Sequence, residues 1–375
     1  MPNRIDPVEL AQALIAVPSV TPATGAVFDV LERALTPLGF AVHRFTRGEA
    51  PDGPVENLVA LRGAGGPHFG FAGHLDVVPP GEGWSGDPFA PHIEEGRLIG
   101  RGANDMKSAI AAFVAAIPEQ QPSGTLSLLI TGDEEGPGAH GTVAIIDWLE
   151  ERSIRPDFIL IGEPTSEQRL GDTVKIGRRG SVNMWIDVPG VQGHVAYPHK
   201  AANPIPALAR ILAALEAWHL DDGNDAFPPS NLEFTEVAVA EGAPNVIPGA
   251  ASARLNIRFN NLQRGADLVR HVTEVAEREA PGASVRALIS GEAFLTPPGH
   301  LYDLVVSAIR EEVGVEPELS TGGGTSDGRF LIKLCPVVDF GLPNATMHKL
   351  DESAAVEDIE ALSRIYARVI AKAFG

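Results

Sequence analysis

The chain opens on two hydrophobic runs at helical spacing. The first covers 7–17, behind Asp6, Pro7 and Glu9, which supply an N-cap, a first-turn proline and a capping-box acid, and Pro18 ends it. The second covers 27–38 and closes at Gly39, a C-cap signal. Strand-like stretches follow: AVHRF at 41–45, NLVALR at 57–62 and HFGFAGH at 68–74, the last of which delivers His74 at its carboxyl end. Residues 106–117 are alanine-rich and read as a helix, 125–131 as a short buried strand, 141–152 as a helix and 157–162 as a strand. Strands alternating with helices predict an α/β unit whose mostly parallel sheet is covered by helices on both faces.

The rhythm changes after GRRGS at 177–181. Strand-like 181–188, helical 203–218, strand-like 232–239 and 251–259, helical 266–278 and strand-like 284–289 give the order βαββαβ, a ferredoxin-like split βαβ sandwich. It reads as a domain of residues 180–292 inserted into a discontinuous one made of 1–179 and 293–375. The tail returns to the first pattern, with a helix at 301–313, the glycine-rich STGGGTSDGRF at 320–330, a strand at 335–341 and a helix at 356–374. At 375 residues, two domains are what the length favours.

Charge narrows the partners. A formal net charge of −20 disfavours nucleic acid and anionic membrane, both of which ask for basic surface. No run approaches the eighteen or so apolar residues of a membrane span, and MPNRIDPVEL carries no apolar targeting region, so the cytoplasm is the expected location. The single cysteine, Cys335, allows no intrachain disulfide and sits in an apolar stretch as a small buried hydrophobe.

The chemistry gathers around TGDEEG at 131–136. Alone, two adjacent glutamates are ordinarily a solvated turn. Here they are joined by GHLDVVPPG at 73–81, GRGANDMKS at 100–108, IGEPTS at 161–166 and NATMHKLDE at 344–352. Each of these sets a His, Asp or Glu where an open α/β sheet collects its functional groups, outside the carboxyl ends of strands. His74 and Asp76 lie two residues apart and so point to one side of a strand, which suits Asp76 to orient a metal-ligating imidazole. Asp105, at a turn before a helix, could equally be an N-cap. With Glu135, Glu163 and His348, the candidates form a histidine and carboxylate set that suits zinc, too large for one tetrahedral ion and better matched to two metals sharing a carboxylate.

This ordered set resembles the dizinc amidohydrolases of the aminoacylase and carboxypeptidase G type, over nearly the whole chain. The stretches GRRGS, GVQGHVAYPHKAANP, NVIP, STGGGTSDGRF and NATMHKLDE are similar to the branch that hydrolyses N-succinyl-LL-2,6-diaminopimelate to succinate and LL-2,6-diaminopimelate, in lysine and diaminopimelate biosynthesis. Ser108 and Pro206 depart from the family's usual glycine and histidine, away from any proposed ligand. The resemblance implies two Zn2+ per subunit, with Co2+ as a substitute. It implies that Asp105 bridges them, that His74 and Glu163 complete one position and Glu135 and His348 the other, and that Glu134 is the general base, with Asp76 beside the metal histidine. It further implies that an anionic small-molecule substrate is lined by Arg178, Arg179, Ser181, Tyr197, Asn245, Arg258, Gly324, Thr325 and Asn344. The same resemblance implies a homodimer through the inserted domain, with His194 reaching the partner's active site. The alternatives are an acetylornithine deacetylase, an aminoacylase, or a catalytically silent binding member of the fold. An unligated Glu134 beside a full ligand set argues against the last, since a mere binder has no use for a free base.

Overall fold

The segments that alternate strand and helix assemble one eight-stranded sheet. In the computed structural model, which describes residues 5–239 and 242–375, its order is Ala41–Arg47, Val55–Gly63, Thr125–Thr131, His68–His74, Phe158–Ile161, Val337–Asp339, Thr173–Lys175, Glu318–Ser320. From Thr125–Thr131 through Val337–Asp339 all neighbours are parallel. Val55–Gly63 runs against both of its neighbours; with Ala41–Arg47 the cause is the short loop between them, since a hairpin can only be antiparallel. At the other side Thr173–Lys175 also runs against Val337–Asp339. The sheet is therefore mixed, with four parallel strands in the middle and a further parallel pair, Thr173–Lys175 with Glu318–Ser320, at one edge.

Both faces are covered. Helix Lys107–Ala116 packs between Pro7–Ile15 and Val356–Ala373 on one face, and every one of its residues is buried, which its run of alanines permits by letting the backbones come close. Phe71 of the sheet stacks on Phe113 of this helix with ring centroids 4.0 Å apart. Leu126, Leu128 and Ile130 face the same core, and the alternation of the strand turns Leu129 to the other face, where helix Thr142–Glu151 lies against Val55–Gly63 and Thr125–Thr131. Asp6 caps the first helix as its sequence predicts, accepting the backbone N–H of Val8 at 2.8 Å and of Glu9 at 3.2 Å.

This sheet with its helices is one of two compact units and holds the chain up to Ile176, Thr296–Ser320 and Ser326–Gly375. The second unit is Gly177–Leu295 with Thr321–Thr325. Its four-stranded antiparallel sheet has the order Asn231–Val239, Ala250–Phe259, Gly180–Pro189, Ser284–Gly291, and helices Pro204–Glu216 and Gly265–Glu279 close a separate apolar core. The unit begins at Gly177 rather than at 180 and ends at Leu295 rather than at 292. The cause is an additional pairing, Gly177–Arg178 with Phe294–Leu295, which draws Arg178 and Arg179 into the second unit.

Candidate metal centre

Three adjacent parallel strands end at one edge of the large sheet. His74 closes the strand His68–His74, Glu134 and Glu135 follow Thr125–Thr131, and Glu163 follows Phe158–Ile161. The register holds them level, since Leu75 N–H donates to the Thr131 carbonyl at 2.9 Å and Gly162 N–H to that of Ala72 at 3.1 Å. Asp105 arrives from the loop that precedes helix Lys107–Ala116, through a cis Asp105–Met106 peptide. Gly102 makes that loop possible: its φ is +88°, and a Cβ there would stand 2.9 Å from Val77 Cγ1. His348 comes from the tail with φ of +60°, a left-handed conformation uncommon for a residue with a side chain and frequent where function demands it.

The donors converge on Asp105. One of its carboxylate oxygens, Oδ1, lies 3.1 Å from His74 Nε2, and the other, Oδ2, lies 3.2 Å from His348 Nε2. His74 Nε2 is also 3.7 Å from Glu163 Oε1, and His348 Nε2 is 2.9 Å from Glu135 Oε1. Ligand atoms of His74, Asp105 and Glu135 lie within 4.8 Å of one another, as do those of His74, Glu134 and Glu163. Imidazole with carboxylate and no thiol is a donor set for a borderline divalent ion, and a carboxylate facing two different imidazoles is the shape a bridging ligand needs. The residues fit a pair of such ions.

The electrostatics point the same way. Burial opposes a charged ring at His74, yet the Asp105 carboxylate raises its pKa well above the ordinary histidine value. Hydrogen bonds to Asp105 and Glu135 push His348 up to about 10. Asp105 is held below the usual carboxylate range, because His348 and His74 outweigh the burial that would raise it. Protons on the two rings thus occupy places where cations are favoured. Glu134 behaves differently: burial, followed by the charge of Asp327, pushes it up to about 8.

Asp76 departs from its expected contact. The His74 ring is fixed by the Asp76 backbone carbonyl, 2.9 Å from Nδ1, while the Asp76 carboxylate stands 3.6 Å away. That carboxylate instead accepts the backbone N–H groups of Glu134 and Glu135. The result for His74 is the same, since a carbonyl at Nδ1 fixes the proton there and leaves Nε2 to face the cluster.

The remaining predicted residues fall into other groups. Asn344 belongs to the first unit, with its N–H on the Ser166 carbonyl at 2.8 Å. In the second unit, Ser181 pairs with Arg258 across neighbouring strands, Asn231 pairs with Arg258 on its other side, and Arg179 Nη1 donates to Asn231 Oδ1 at 2.9 Å. Burial and the charge of Arg179 both lower the pKa of Arg258. Among the described residues neither Arg179 nor Arg258 is ion-paired with a carboxylate, so two half-buried guanidinium groups stand together in a chain of strong negative charge. Arg178 donates to the Gly324 carbonyl at 2.9 Å, next to Thr325. His194, Tyr197 and Asn245 form a third group: His194 and Tyr197 are exposed with rings 5.7 Å apart, and Val195 N–H donates to the Asn245 carbonyl at 3.0 Å.

Two buried acids that motif reading passes over stand behind the centre. Asp327, inside the glycine-rich TSDGRF, accepts a hydrogen bond from Thr142 Oγ1 at 2.6 Å, and its charge is, after burial, the largest influence raising the pKa of Glu134. Glu352 ends the stretch that carries His348 and is fully buried.

A model of the peptidase family M20/M25/M40 matches residues 70–372. The chain belongs to that family. It is 63% identical over 376 residues to the succinyl-diaminopimelate desuccinylase of Sphingopyxis alaskensis, covering all of both chains. It is 59% identical over 371 residues to the protein of that name from Zymomonas mobilis, covering 99% of each. Among solved structures, aminopeptidase PepT from Bacillus cereus superposes with a TM-score of 0.79 at 20% identity, over 99% of each chain. A dinuclear metal-binding M20 peptidase from Bacillus subtilis does so with a TM-score of 0.72 at 16% identity, over 97% of this chain and 96% of that one. The family resemblance read from the motifs, the expected α/β fold and the expected hydrolase class are thus borne out. No helix among the described residues is long and apolar enough to cross a membrane.

Proposed function

We propose that this chain hydrolyses the amide bond of N-succinyl-LL-2,6-diaminopimelate to succinate and LL-2,6-diaminopimelate, in lysine and diaminopimelate biosynthesis in the cytoplasm. The observation that carries this reading is the arrangement about Asp105, whose two oxygens face His74 and His348, in a chain 63% identical throughout to a desuccinylase. His74 and Glu163 would hold one zinc and Glu135 and His348 the other, with Asp105 as the ligand they would share and cobalt as a substitute. Bound at such a site, the metals supply Lewis acidity, which polarises an amide carbonyl and brings water within reach of deprotonation near neutral pH. Glu134 takes a proton from the attacking water and passes it to the departing amine. Burial and Asp327 raise its affinity for that proton.

Arg179 and Arg258 meet carboxylates of the substrate, since guanidinium without a protein carboxylate is available for bidentate pairing. Arg178, Ser181, Tyr197, Asn245, Gly324, Thr325 and Asn344 contribute the remaining polar contacts. The subunit works as a homodimer through its inserted unit, whose edge strand Asn231–Val239 exposes Val237 and Val239. His194, exposed and not among the metal donors, serves the partner's site as a hydrogen-bond donor to the developing oxyanion.

Incubating zinc-loaded protein with a panel of N-succinyl and N-acetyl amino acids, and measuring amine release, tests the reading. Turnover of the succinylated diamino acid ahead of every acetylated compound supports it. Preference for an acetylated substrate assigns a related deacylase, and no release from any member assigns a binding protein.

A further inference from the structure

The loop carrying Asp105 and the tail carrying His348 are remote in sequence, and one side chain joins them. Glu352 Oε1 accepts the backbone N–H of Asn104 at 2.8 Å and of Asp105 itself at 2.9 Å. Its Oε2 accepts the backbone N–H of Gly102 at 3.1 Å and the Arg101 guanidinium at 2.7 Å. Both oxygens are in use, and the pair with Arg101 is shut away from solvent, with side-chain exposures of 1% and 2%.

The surrounding contacts repeat the tie. Arg101 also reaches the carbonyl of Lys349, the neighbour of His348, at 3.2 Å. Asn104 Nδ2 donates to the Pro343 carbonyl at 2.7 Å, and Gly100 N–H donates to the Glu352 carbonyl at 2.9 Å. Beyond these, Arg97–Ile99 pairs antiparallel with Ser353–Ala355. The two ends of the 3.2 Å separation between Asp105 and His348 therefore meet at Glu352.

Only a carboxylate fits this place. Every group aimed at it is a donor, so a glutamine would set its own N–H groups against some of them, and an aspartate, one methylene shorter, falls short of the loop amides from the same backbone position. We infer that Glu352 is a positioning residue for the metal ligands: it holds Asp105 in register with His348 and so sets metal affinity without touching a metal. This rests on the reading that Asp105 is shared by two metals.

The test is a Co2+ titration of E352Q and E352D beside the wild type and Asp105→Ala, recording affinity, stoichiometry and the visible absorption of bound cobalt, with thermal unfolding of each metal-free protein. Both Glu352 variants are expected to lose Co2+ affinity roughly ten- to hundredfold, the usual effect of removing a group that orients a ligand, and to show an altered visible spectrum. Support for folding alone would lower the thermal midpoint and leave the affinity and spectrum of folded protein at wild type, which overturns the inference. Wild-type affinity in E352D overturns it too, since charge without reach would then suffice. Should E352Q not fold, E352D decides on the same readouts. Asp105→Ala separates the two claims: if it still binds two Co2+ normally, the shared ligand is wrong, whereas metal loss there with normal binding in the Glu352 variants removes only the role of Glu352.

Discussion

The Asp76 carboxylate accepts the backbone N–H of Glu135 at 2.9 Å. Its other oxygen takes that of Glu134 at 3.2 Å, so one buried side chain fixes the backbone of both adjacent glutamates. With the backbone held, the two side chains part. Glu135 goes to His348, 2.9 Å away, while Glu134 lies with His74 and Glu163. Two like residues in succession are thereby given different surroundings, and different surroundings permit different work.

That division gives the first prediction. Glu134→Gln keeps the size of the side chain and the neighbouring ligands but cannot accept the proton of water, so it should bind two metals and lose about 10²- to 10⁴-fold in turnover, the usual share of a general base. Metal content and kcat measured on the same sample check it. A variant that binds both metals and turns over near wild type would show that the proton goes elsewhere.

A second prediction concerns protons. In the metal-free chain His348 keeps its proton up to about 10 against an ordinary value of 6.5. The folded form therefore binds more protons than the unfolded one across that window. The stability this gives is complete below the unfolded value of 6.5 and is lost as pH rises toward 10. Glu134, raised from 4.5 to about 8, adds the same sign over its own window. Metal loading must expel the His348 proton, so metal affinity should climb as pH rises toward 10 and titration heats at pH 7 should vary with the ionisation enthalpy of the buffer. Affinity independent of pH, with heats independent of buffer, would contradict the assignment of these imidazoles as ligands.

Specificity supplies a third. Arg258→Ala or Arg179→Ala should weaken use of a succinylated substrate by roughly 1.5–3 kcal/mol in kcat/KM, the worth of a charge-assisted hydrogen bond. Whichever arginine grips the succinyl carboxylate should cost an acetylated analogue less. Equal losses on both substrates in both variants would mean that neither reads the succinyl group.

Much of the centre is legible in the sequence because strand ends declare themselves: His74, Glu134, Glu135 and Glu163 each follow an apolar run that the sheet buries. Asp105 and His348 sit in irregular backbone, so periodicity says nothing of them and only motif order brings them in. Glu352 left no signal, because its partners are amides of a loop some 250 residues earlier, one of them Gly102. For Asp76, spacing shows that a carboxylate is near a histidine and not that the backbone carbonyl of the same residue is nearer. Strands of two or three residues, such as Gly177–Arg178 and Ser353–Ala355, are too short to show alternation, and the former moved the domain boundary.

The trans role proposed for His194 is open to complementation. His194→Ala and Glu134→Ala homodimers should each be nearly inactive. Mixed under conditions that exchange subunits, they should recover roughly a quarter of wild-type sites, because each mixed dimer holds one intact Glu134 facing a His194 lent by the other chain. Exchange without any recovered activity would place His194 in its own subunit's chemistry or in none.

The central claim is that Asp105 is shared, and anomalous scattering from crystals of the zinc-loaded protein tests it most directly. Two zinc peaks are predicted, one on each oxygen of Asp105, the first also touching His74 and Glu163 and the second Glu135 and His348. A single peak, or two peaks of which one lacks Asp105, would contradict the account.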